Sequence, residues 1–311
     1  MAKGQRPKRR GRKIDGWIIL DKPPGITSAH AVGKIKRGLD AAKVGHGGTL
    51  DPLATGVLPI ALGGATKMVP YVMDGIKLYQ FTLKFGEARD TDDAEGAVIE
   101  TSDNRPDDAM IQVALSAFQG AIMQVPPAFS AIKVAGERAY DLARAGAPPD
   151  LAPRPAQIDR FDLIDRPDAD HAVFEVASGK GVYMRSLARD LARAVGTVGH
   201  IAVLRRLAVG PFRIEDAVTL DKCINYDHSA DCEPDLVKPV ETALADIPAL
   251  ALTDPEVAAL RNGMALSLID FLGRIPATSS PGNGLVRGMA GHRFVVLGRL
   301  SEGLLRPERV I

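Results

Sequence analysis

Apolar and polar positions along the first third of the chain predict two strands around a helix. Residues 16–20 form a short apolar run that ends in a rigid Pro- and Gly-containing turn, as a strand followed by a turn would. A helix is expected to begin near Thr27 or Ser28, because apolar residues recur from there at helical spacing. Residues 57–62 predict a buried strand.

Strict alternation appears in residues 77–85, which predict a half-buried strand. One face of that strand would carry Tyr79, Phe81, Leu83 and Phe85. Further strands are expected near residues 129–134, 158–164, 172–177 and 199–209, and the Pro-rich residues 147–155 predict an exposed loop.

Two more helices are predicted from caps and periodicity. Asp107 can cap a helix whose apolar positions are Met110, Val113, Ala114, Ala117 and Phe118. A second helix is expected from Tyr183 to Val195, ended by Gly196. Its buried face would carry Met184, Leu187, Ala188 and Leu191. Arginines repeat every fourth residue from Arg185, which by periodicity alone is as readily a solvated residue as a functional one.

Composition and pattern together indicate two domains in a chain of 311 residues. Strands and helices alternate irregularly over residues 14–225, which predicts an α+β domain. Residues 226–240 are expected to be a linker, and residues 241–311, rich in Gly with short apolar runs, suit a small β-barrel. No apolar run is long enough for a membrane span or a secretory signal, so we expect a cytoplasmic protein.

Charge is unevenly distributed, although the net charge is only +1. Residues 1–13 contain seven Lys or Arg and no acid, so the remainder of the chain is net acidic. Such a basic segment is expected to be a disordered tail that attracts polyanions without sequence preference. An RNA site on the body would therefore have to be a local patch.

The most informative stretch is residues 45–59, GHGGTLDPLATGVLP, in which a single carboxylate, Asp51, lies between two Gly-rich ends. Glycine permits backbone conformations that other residues avoid, and Pro52 has a fixed φ, so the loop would hold the carboxylate rigidly. An alternative is that Asp51 caps a helix whose first residue is Pro52. A cap and a catalytic group could also be the same residue.

This run closely resembles the catalytic-aspartate motif of the TruB-type tRNA pseudouridine synthases, which isomerise uridine 55 in the T-arm. Four more motifs resemble the family in the right order: LDKPPG at 20–25, RDTDDAEG at 89–96, SGKGVYMRSL at 178–187 and LRRLAVG at 204–210. The resemblance implies a catalytic domain with a central mixed, mostly antiparallel sheet flanked by helices. It also implies a small C-terminal PUA-like, RNA-binding barrel, although the motifs there are less specific.

The resemblance also assigns roles to individual residues. Asp51 is the catalytic carboxylate, acting either as a nucleophile or on the ribose 2′ proton, and Arg185 is its cationic neighbour. Tyr79 would stack on the uracil and receive the proton lost from carbon 5, although its strand position also suits a core residue. The expected substrate contacts are His46, Tyr79, Tyr183, Leu204 and Lys22, of which His46 and Leu204 could otherwise be a loop histidine and a core leucine.

The implied reaction needs no redox change and no transferred group, so no cofactor is expected. Cys223 and Cys232, with His228 between them, lack the spacing of a zinc site, and the acidic loop at 89–96 does not fit a calcium-binding loop. We therefore expect no metal. The expected partner is tRNA, through its T-arm and its acceptor stem, with no membrane and no protein partner, and the protein is expected to be a monomer.

Other classes fit less well. An RNA-folding chaperone on the same scaffold would share the basic tail and the barrel, but the presence of Asp51, Tyr79 and Arg185 favours an enzyme. A nucleoside-triphosphatase would need a Walker loop, which residues 63–67 do not match. A serine hydrolase would need Gly at Val176, two residues before Ser178.

Overall fold

A computed structural model describes residues 11–130, 132–134, 136–147, 149–225, 236–274 and 284–311. In chain order the strands are β1 (Gly16–Lys22), β2 (Val44–His46), β3 (Thr55–Leu62), β4 (Lys77–Phe85), β5 (Glu87–Arg89), β6 (Val98–Thr101), β7 (Gly120–Gln124), β8 (Lys133–Val134), β9 (Glu137–Arg138), β10 (Arg154–Asp165), β11 (His171–Ser178), β12 (Gly199–Val209), β13 (Phe212–Arg213), β14 (Val218–Thr219), β15 (Ala249–Ala251), β16 (Leu266–Ser267), β17 (Leu285–Ala290), β18 (Arg293–Ser301) and β19 (Leu304–Val310).

The α-helices are α1 (Ser28–Gly38), α2 (Val69–Asp74), α3 (Asp108–Leu115), α4 (Ala139–Arg144), α5 (Met184–Ala194), α6 (Leu220–Ile224) and α7 (Asp254–Arg261). Thr27 caps α1, since its hydroxyl accepts a hydrogen bond from the His30 N–H at 3.1 Å. Asp107 caps α3 in the same way, through the Met110 N–H at 2.8 Å. No helix among these residues is long and apolar enough to cross a bilayer.

A large mixed sheet organises the residues before 220, with the strand order β14-β1-β3-β12-β4-β11-β10-β7. Strand β2 also pairs with β3, and β13 pairs with β12. The β1–β14 and β12–β3 pairs are parallel and the others are antiparallel. The sheet is therefore mixed and mostly antiparallel, and helices pack on it, which confirms the predicted α+β class.

Both faces of this sheet are buried where β1 and β3 pair. On β1, Ile18 and Leu20 belong to one core, which α1 and α5 cover, while Trp17 and Ile19 belong to a second core on the opposite face. This explains why the β1 sequence is continuously apolar rather than alternating. In β4, by contrast, Phe81, Leu83 and Phe85 are buried while the alternate residues Thr82 and Lys84 are partly exposed.

The C-terminal strands form a separate curled half-barrel with the order β15-β17-β18-β19-β16. It encloses a third core, to which α7 contributes Val257 and Leu260. The second core also extends into this region, because Val240, Leu285 and Leu297 pack in the same cluster as Trp17.

Two local expectations from the sequence differ from the structure. Met110 and Val113 are exposed, at 48% and 76%, because α3 instead buries Ile111 and Leu115 against the sheet. The strand expected at residues 129–134 is reduced to the two residues of β8. The Phe129 carbonyl just before it binds the Arg185 side chain of α5, and the Ser130 carbonyl binds the Tyr140 N–H, instead of a neighbouring strand.

Candidate active site

A cleft of about 1050 Å³ lies over the large sheet and gathers the motifs that are distant in sequence. Its walls come from the loop between β2 and β3, the start of β4, the acidic loop between β5 and β6, the segment before α4 and the segment leading into α5. Of the predicted site residues, the cleft is lined by His46, Asp51, Tyr79, Tyr183, Arg185 and Leu204.

The loop that carries Asp51 contains no helix, so Asp51 caps none and the alternative interpretation of Asp-Pro as a helix start does not apply. The loop turns through hydrogen bonding of the Ala54 N–H to the Asp51 carbonyl at 3.1 Å. Gly56, at a φ of +97°, ends the turn against β12. A Cβ at Gly56 would lie 2.2 Å from the Arg206 carbonyl oxygen, so only glycine permits this approach.

Two buried cations hold this loop from below by binding its main-chain carbonyls. The Lys22 side chain is fully buried, and its Nζ donates to the carbonyls of Pro23, Ile26 and Pro52 at 2.9, 2.9 and 3.1 Å. Arg206, 1% exposed, donates to the carbonyls of Val57, Gly48 and Thr49 at 2.8, 3.2 and 3.4 Å. These hydrogen bonds fix the backbone on both sides of Asp51.

Lys22, predicted to be a substrate contact, is not among the residues that line the cleft. Its ammonium lies beneath the loop rather than in the cleft, and all three of its donors are engaged by carbonyls. Burial lowers the pKa of Lys22 to about 8, while the nearby Asp51 carboxylate acts in the opposite direction. We assign Lys22 to positioning the Asp51 loop.

Arg185 forms the opposite wall and pairs directly with the carboxylate. Its Nε lies 3.0 Å from Asp51 Oδ2, and its side chain is only 6% exposed against 36% for Asp51. The other guanidinium nitrogens donate to the carbonyls of Thr91 and Phe129 at 3.0 and 2.9 Å. Arg185 is thus fixed on three sides, while Asp51 keeps one side open to the cleft.

The acidic loop is joined to α5 through a second arginine one turn further along. Asp92 Oδ2 lies 2.9 Å from Arg189 Nη1, and Asp93, which is 3% exposed, lies 3.6 Å from Arg185 Nη1. Arg189 also donates to the Val125 carbonyl at 2.9 Å. Sequence periodicity treats Arg185 and Arg189 as equally solvated, whereas both bind the acidic loop and the segment before α4.

Aromatic and apolar residues form the floor and side of the cleft. Tyr79 is half-buried at the start of β4, where it packs against the first core, and Leu204 is 4% exposed on the neighbouring β12. Tyr183 precedes α5, and its backbone is held by both ends of the Gln124 amide, at 2.8 and 3.1 Å. Burial raises the pKa of the Tyr183 phenol, so it stays protonated at neutral pH.

His46 lies at the end of β2, on the same side as Asp51. Burial and the nearby Arg206 lower its pKa, so the ring is neutral at pH 7. Its Nδ1 is buried without a hydrogen-bond partner, which leaves it available to a ligand in the cleft.

Three residues that support the site carry no role in the sequence motifs: Arg206, Ser28 and Gln124. Ser28 holds the Asp51 loop from α1, since its hydroxyl bonds both the N–H and the carbonyl of Leu50, at 2.9 and 3.1 Å. Arg206 lies inside one of the matched motifs, where two adjacent arginines, Arg205 and Arg206, interrupt a mostly apolar strand. Nothing in the pattern near Gln124 indicates its role.

No group of three His, Cys, Asp or Glu side chains within the described ranges is arranged to hold a metal ion. Cys223 is buried on α6, where desolvation raises the pKa of its thiol to about 12. Cys232 and His228 lie outside the described residues.

Comparison with known families decides which chemistry this arrangement serves. Residues 36–184 match the N-terminal domain of the TruB family of pseudouridylate synthases, and residues 185–245 match the C-terminal domain of tRNA pseudouridylate synthase B. The chain belongs to the TruB family. The cleft residues Asp51, Tyr79 and Leu204 all fall within these two matched regions.

Relatives in the TruB family match almost the whole chain. A protein of Gluconacetobacter diazotrophicus named tRNA pseudouridine synthase B is 66% identical, over 98% of this chain and 99% of its own length. A protein of the same name from Rhodospirillum rubrum is 51% identical, over 98% of each chain. The similarity therefore includes the C-terminal half-barrel as well as the cleft.

Solved structures agree with the TruB fold. The archaeal box H/ACA sRNP Nop10–Cbf5 complex contains a chain with a TM-score of 0.72 and 27% identity, which covers 95% of this chain and 85% of its own. A chain of an H/ACA RNP bound to a substrate RNA containing 2′-deoxyuridine has a TM-score of 0.73 and 26% identity, over 98% and 91%.

Proposed function

We propose that this TruB-family protein converts uridine to pseudouridine at position 55, in the T-arm of tRNA. The observation that carries the proposal is the Asp51–Arg185 pair, with its 3.0 Å contact at the wall of a cleft lined by Tyr79 and Tyr183. The name shared by the relatives, tRNA pseudouridine synthase B, supports tRNA as the substrate. The resemblance of residues 45–59 to the uridine-55 family supports the position.

The reaction breaks the bond between ribose C1′ and uracil N1, turns the base, and joins C1′ to carbon 5. Asp51 supplies the one carboxylate that this chemistry needs, either by attacking the sugar or by removing the ribose 2′ proton. Arg185 holds the carboxylate and offsets its charge. No electrons are gained or lost and the base remains in the cleft, so the proposal includes no cofactor.

Tyr79 is proposed to stack on the uracil and to receive the proton that leaves carbon 5 when the new bond forms. Its half-buried position at the start of β4 supports this, because one side of the ring packs on the core and another borders the cleft. Leu204 and Tyr183 would complete the base pocket. A base inside a folded loop must first be flipped out, which costs a few kcal/mol of stacking.

His46 would contact the bases of the T-loop, since its neutral ring presents an unpartnered Nδ1. The C-terminal half-barrel is proposed to act as a PUA-like domain on the acceptor stem. The basic residues 1–13 would add general attraction for the phosphate backbone.

The direct test is to incubate the purified protein with an unmodified T-arm hairpin and to measure pseudouridine at each uridine. We expect one pseudouridine per hairpin, at position 55, without added metal or cofactor. A hairpin with cytidine at position 55 serves as the control and should yield none. RNA refolding without any pseudouridine would instead favour the chaperone function, and modification at another position would refute the proposed site.

A further inference from the structure

One residue of the cleft lies outside the matched motifs and is identified by a buried side-chain oxygen that has no hydrogen-bond partner. Six buried side-chain nitrogen or oxygen atoms within the described ranges have no hydrogen-bond partner: His46 Nδ1, Arg89 Nε, Ser130 Oγ, Arg166 Nη1, Ser178 Oγ and Arg287 Nε. Only His46 and Ser130 among them line the cleft. A buried hydroxyl without a partner has lost its hydrogen bonds to water and formed none within the protein, which costs free energy. Such a group therefore indicates a missing ligand or partner.

Ser130 is held firmly in the wall that contains Arg185. It is 4% exposed, and its own carbonyl accepts a hydrogen bond from the Tyr140 N–H at 3.0 Å. The preceding residue, Phe129, gives its carbonyl to Arg185 Nη2 at 2.9 Å. The Ser130 hydroxyl also lies close enough to the Tyr183 phenol to affect its pKa, but without the geometry of a hydrogen bond.

The neighbouring polar groups of this wall are already occupied. Arg185 is bonded to Asp51, Thr91 and Phe129, and the polar backbone atoms of Tyr183 are bonded to Gln124. The Ser130 hydroxyl therefore has no hydrogen-bond partner on a backbone that is held in place, next to Phe129, which binds Arg185, and near the Tyr183 phenol.

We propose that the Ser130 hydroxyl binds the flipped pyrimidine base directly, a role that rests on the proposed function of the cleft. Uracil presents two carbonyl acceptors and a ring N–H donor, and the group that faces a given wall changes when the base turns during the reaction. A hydroxyl can donate or accept by rotating about its C–O bond, so one serine can follow both orientations. A fixed N–H donor could serve only one.

Ser178 provides a matched control. It is also a serine with a fully buried, unpartnered hydroxyl, but it lies on β11 and does not line the cleft. Ser130→Ala and Ser178→Ala each remove one orphaned hydroxyl, so both variants should be at least as stable as the parent protein in urea unfolding. They should differ only in how they bind the base.

The experiment measures RNA affinity in an Asp51→Asn background, so that turnover does not interfere. Two T-arm hairpins are compared, one with uridine and one with an abasic nucleotide at position 55. Ser130→Ala is expected to weaken binding of the uridine hairpin about tenfold, as the loss of one buried hydrogen bond would. It should leave the abasic hairpin unchanged, and Ser178→Ala should leave both unchanged.

Three results would overturn the proposal. They are equal weakening of both hairpins by Ser130→Ala, no weakening of either, or a loss of stability that shows a structural partner for the hydroxyl. Failure of the proposed function is distinguishable, because it appears as an absence of pseudouridine with the unmodified protein. The binding difference between the two hairpins would still be measurable in that case.

Discussion

The cleft and the contact between the large sheet and the C-terminal half-barrel are held together by different kinds of interaction, the first by hydrogen bonds from charged side chains and the second by apolar packing. In the wall of the cleft Arg185 and Arg206, and beneath the Asp51 loop Lys22, donate to main-chain carbonyls. We call the second region the seam: the second core, in which the sheet residues Trp17 and Phe212 and further apolar residues of the large sheet meet apolar residues after 239. Those later residues are Val240, Ala243, Leu244, Leu285, Phe294 and Leu297.

This difference separates positioning from stability. Hydrogen bonds to charged groups are directional, so these three cations fix where Asp51 and its loop lie. Apolar burial is non-directional and roughly proportional to area, so the seam contributes stability without specifying a geometry for chemistry. Changes in the cleft should therefore act on the reaction rate, and changes in the seam on the free energy of unfolding.

The largest expected effect comes from Asp51→Asn. Removing one positioned acid–base group lowers a rate on the order of 10²–10⁴-fold, and a carboxylate that also bonds the sugar would cost more, so we expect undetectable turnover. Stability should change by no more than about 1 kcal/mol, because a partly exposed ion pair contributes little and Arg185 keeps its carbonyl partners. The measurements are pseudouridine formation and urea unfolding.

Asp21→Asn is the control for that experiment. Asp21 pairs with Arg205 at 2.8 Å and is 32% exposed, close to the 36% of Asp51, but it does not line the cleft. This variant should lose a similar ion pair and keep near-normal turnover. Near-normal turnover of Asp51→Asn would refute its catalytic role, and equal inactivation of both variants would show that any such pair sustains the fold of the site.

The next largest effect is expected at the seam, where two leucines allow a matched comparison. Leu297 belongs to the seam and Leu305 to the third core, and both are fully buried. Each Leu→Ala change should cost roughly 2–5 kcal/mol. Trp17 is the only tryptophan of the chain and lies in the seam, so its fluorescence should change with Leu297→Ala and stay unchanged with Leu305→Ala.

Truncation near residue 235 extends this test. The sequence alone predicts that the remaining fragment folds and modifies RNA at a higher substrate concentration, since every matched catalytic position lies before residue 210. The shared seam predicts instead a strongly destabilised fragment, because Trp17 would lose the Val240 carbonyl, 3.0 Å from its Nε1, and its apolar neighbours. A fragment with the unfolding free energy of the whole chain would show that the seam is dispensable.

The sequence predicted strands, helices and helix caps correctly where a single local pattern, such as alternation or helical periodicity, determines them. The alternation of residues 77–85, the Thr27 and Asp107 caps and the α5 periodicity are all found at their expected positions. Each of these depends on neighbours within a few residues, which a sequence pattern records directly.

Contacts between residues that are distant in sequence could not be predicted from the pattern of apolar and polar residues. Periodicity could not distinguish Arg185 as a buried ligand of Asp51, since its partners Thr91 and Phe129 are distant in sequence. The expected strand at 129–134 failed for the same reason, because the Phe129 carbonyl is bound by Arg185 and the Ser130 carbonyl by the Tyr140 N–H. The shared seam also needs three-dimensional contacts, since nothing in the composition of residues 240–297 indicates that they complete the core under Trp17.

A smaller effect is expected on acidification. Burial lowers the pKa of His46 in the cleft and of His200 on β12 below the usual value of 6.5. As pH falls through 6.5, the unfolded chain binds protons that the folded chain does not, so the free energy of unfolding decreases until the folded pKa values are reached. Urea unfolding at pH 7.5 and pH 5.5 should show this loss.

Each histidine should contribute separately to that loss. His200→Gln should remove part of the pH dependence and leave RNA binding unchanged, since His200 bonds the Glu87 carbonyl at 2.8 Å and does not line the cleft. His46→Gln should remove another part and also weaken binding of the T-arm hairpin. An unchanged pH dependence in both variants would mean that other groups cause it.

The smallest effect should come from the basic tail, which belongs to neither region. Deletion of residues 2–10 removes five Lys or Arg and retains Arg12, whose backbone pairs with Ala41. RNA affinity should fall several-fold at low salt, and the slope of log affinity against log salt should become shallower by about 0.7–0.9 for each phosphate that the shortened protein no longer neutralises. Turnover at saturating RNA and the free energy of unfolding should not change. Replacing the five basic residues with Ser must give the same result if charge alone is responsible, whereas a large loss of saturated turnover would assign the tail to the cleft.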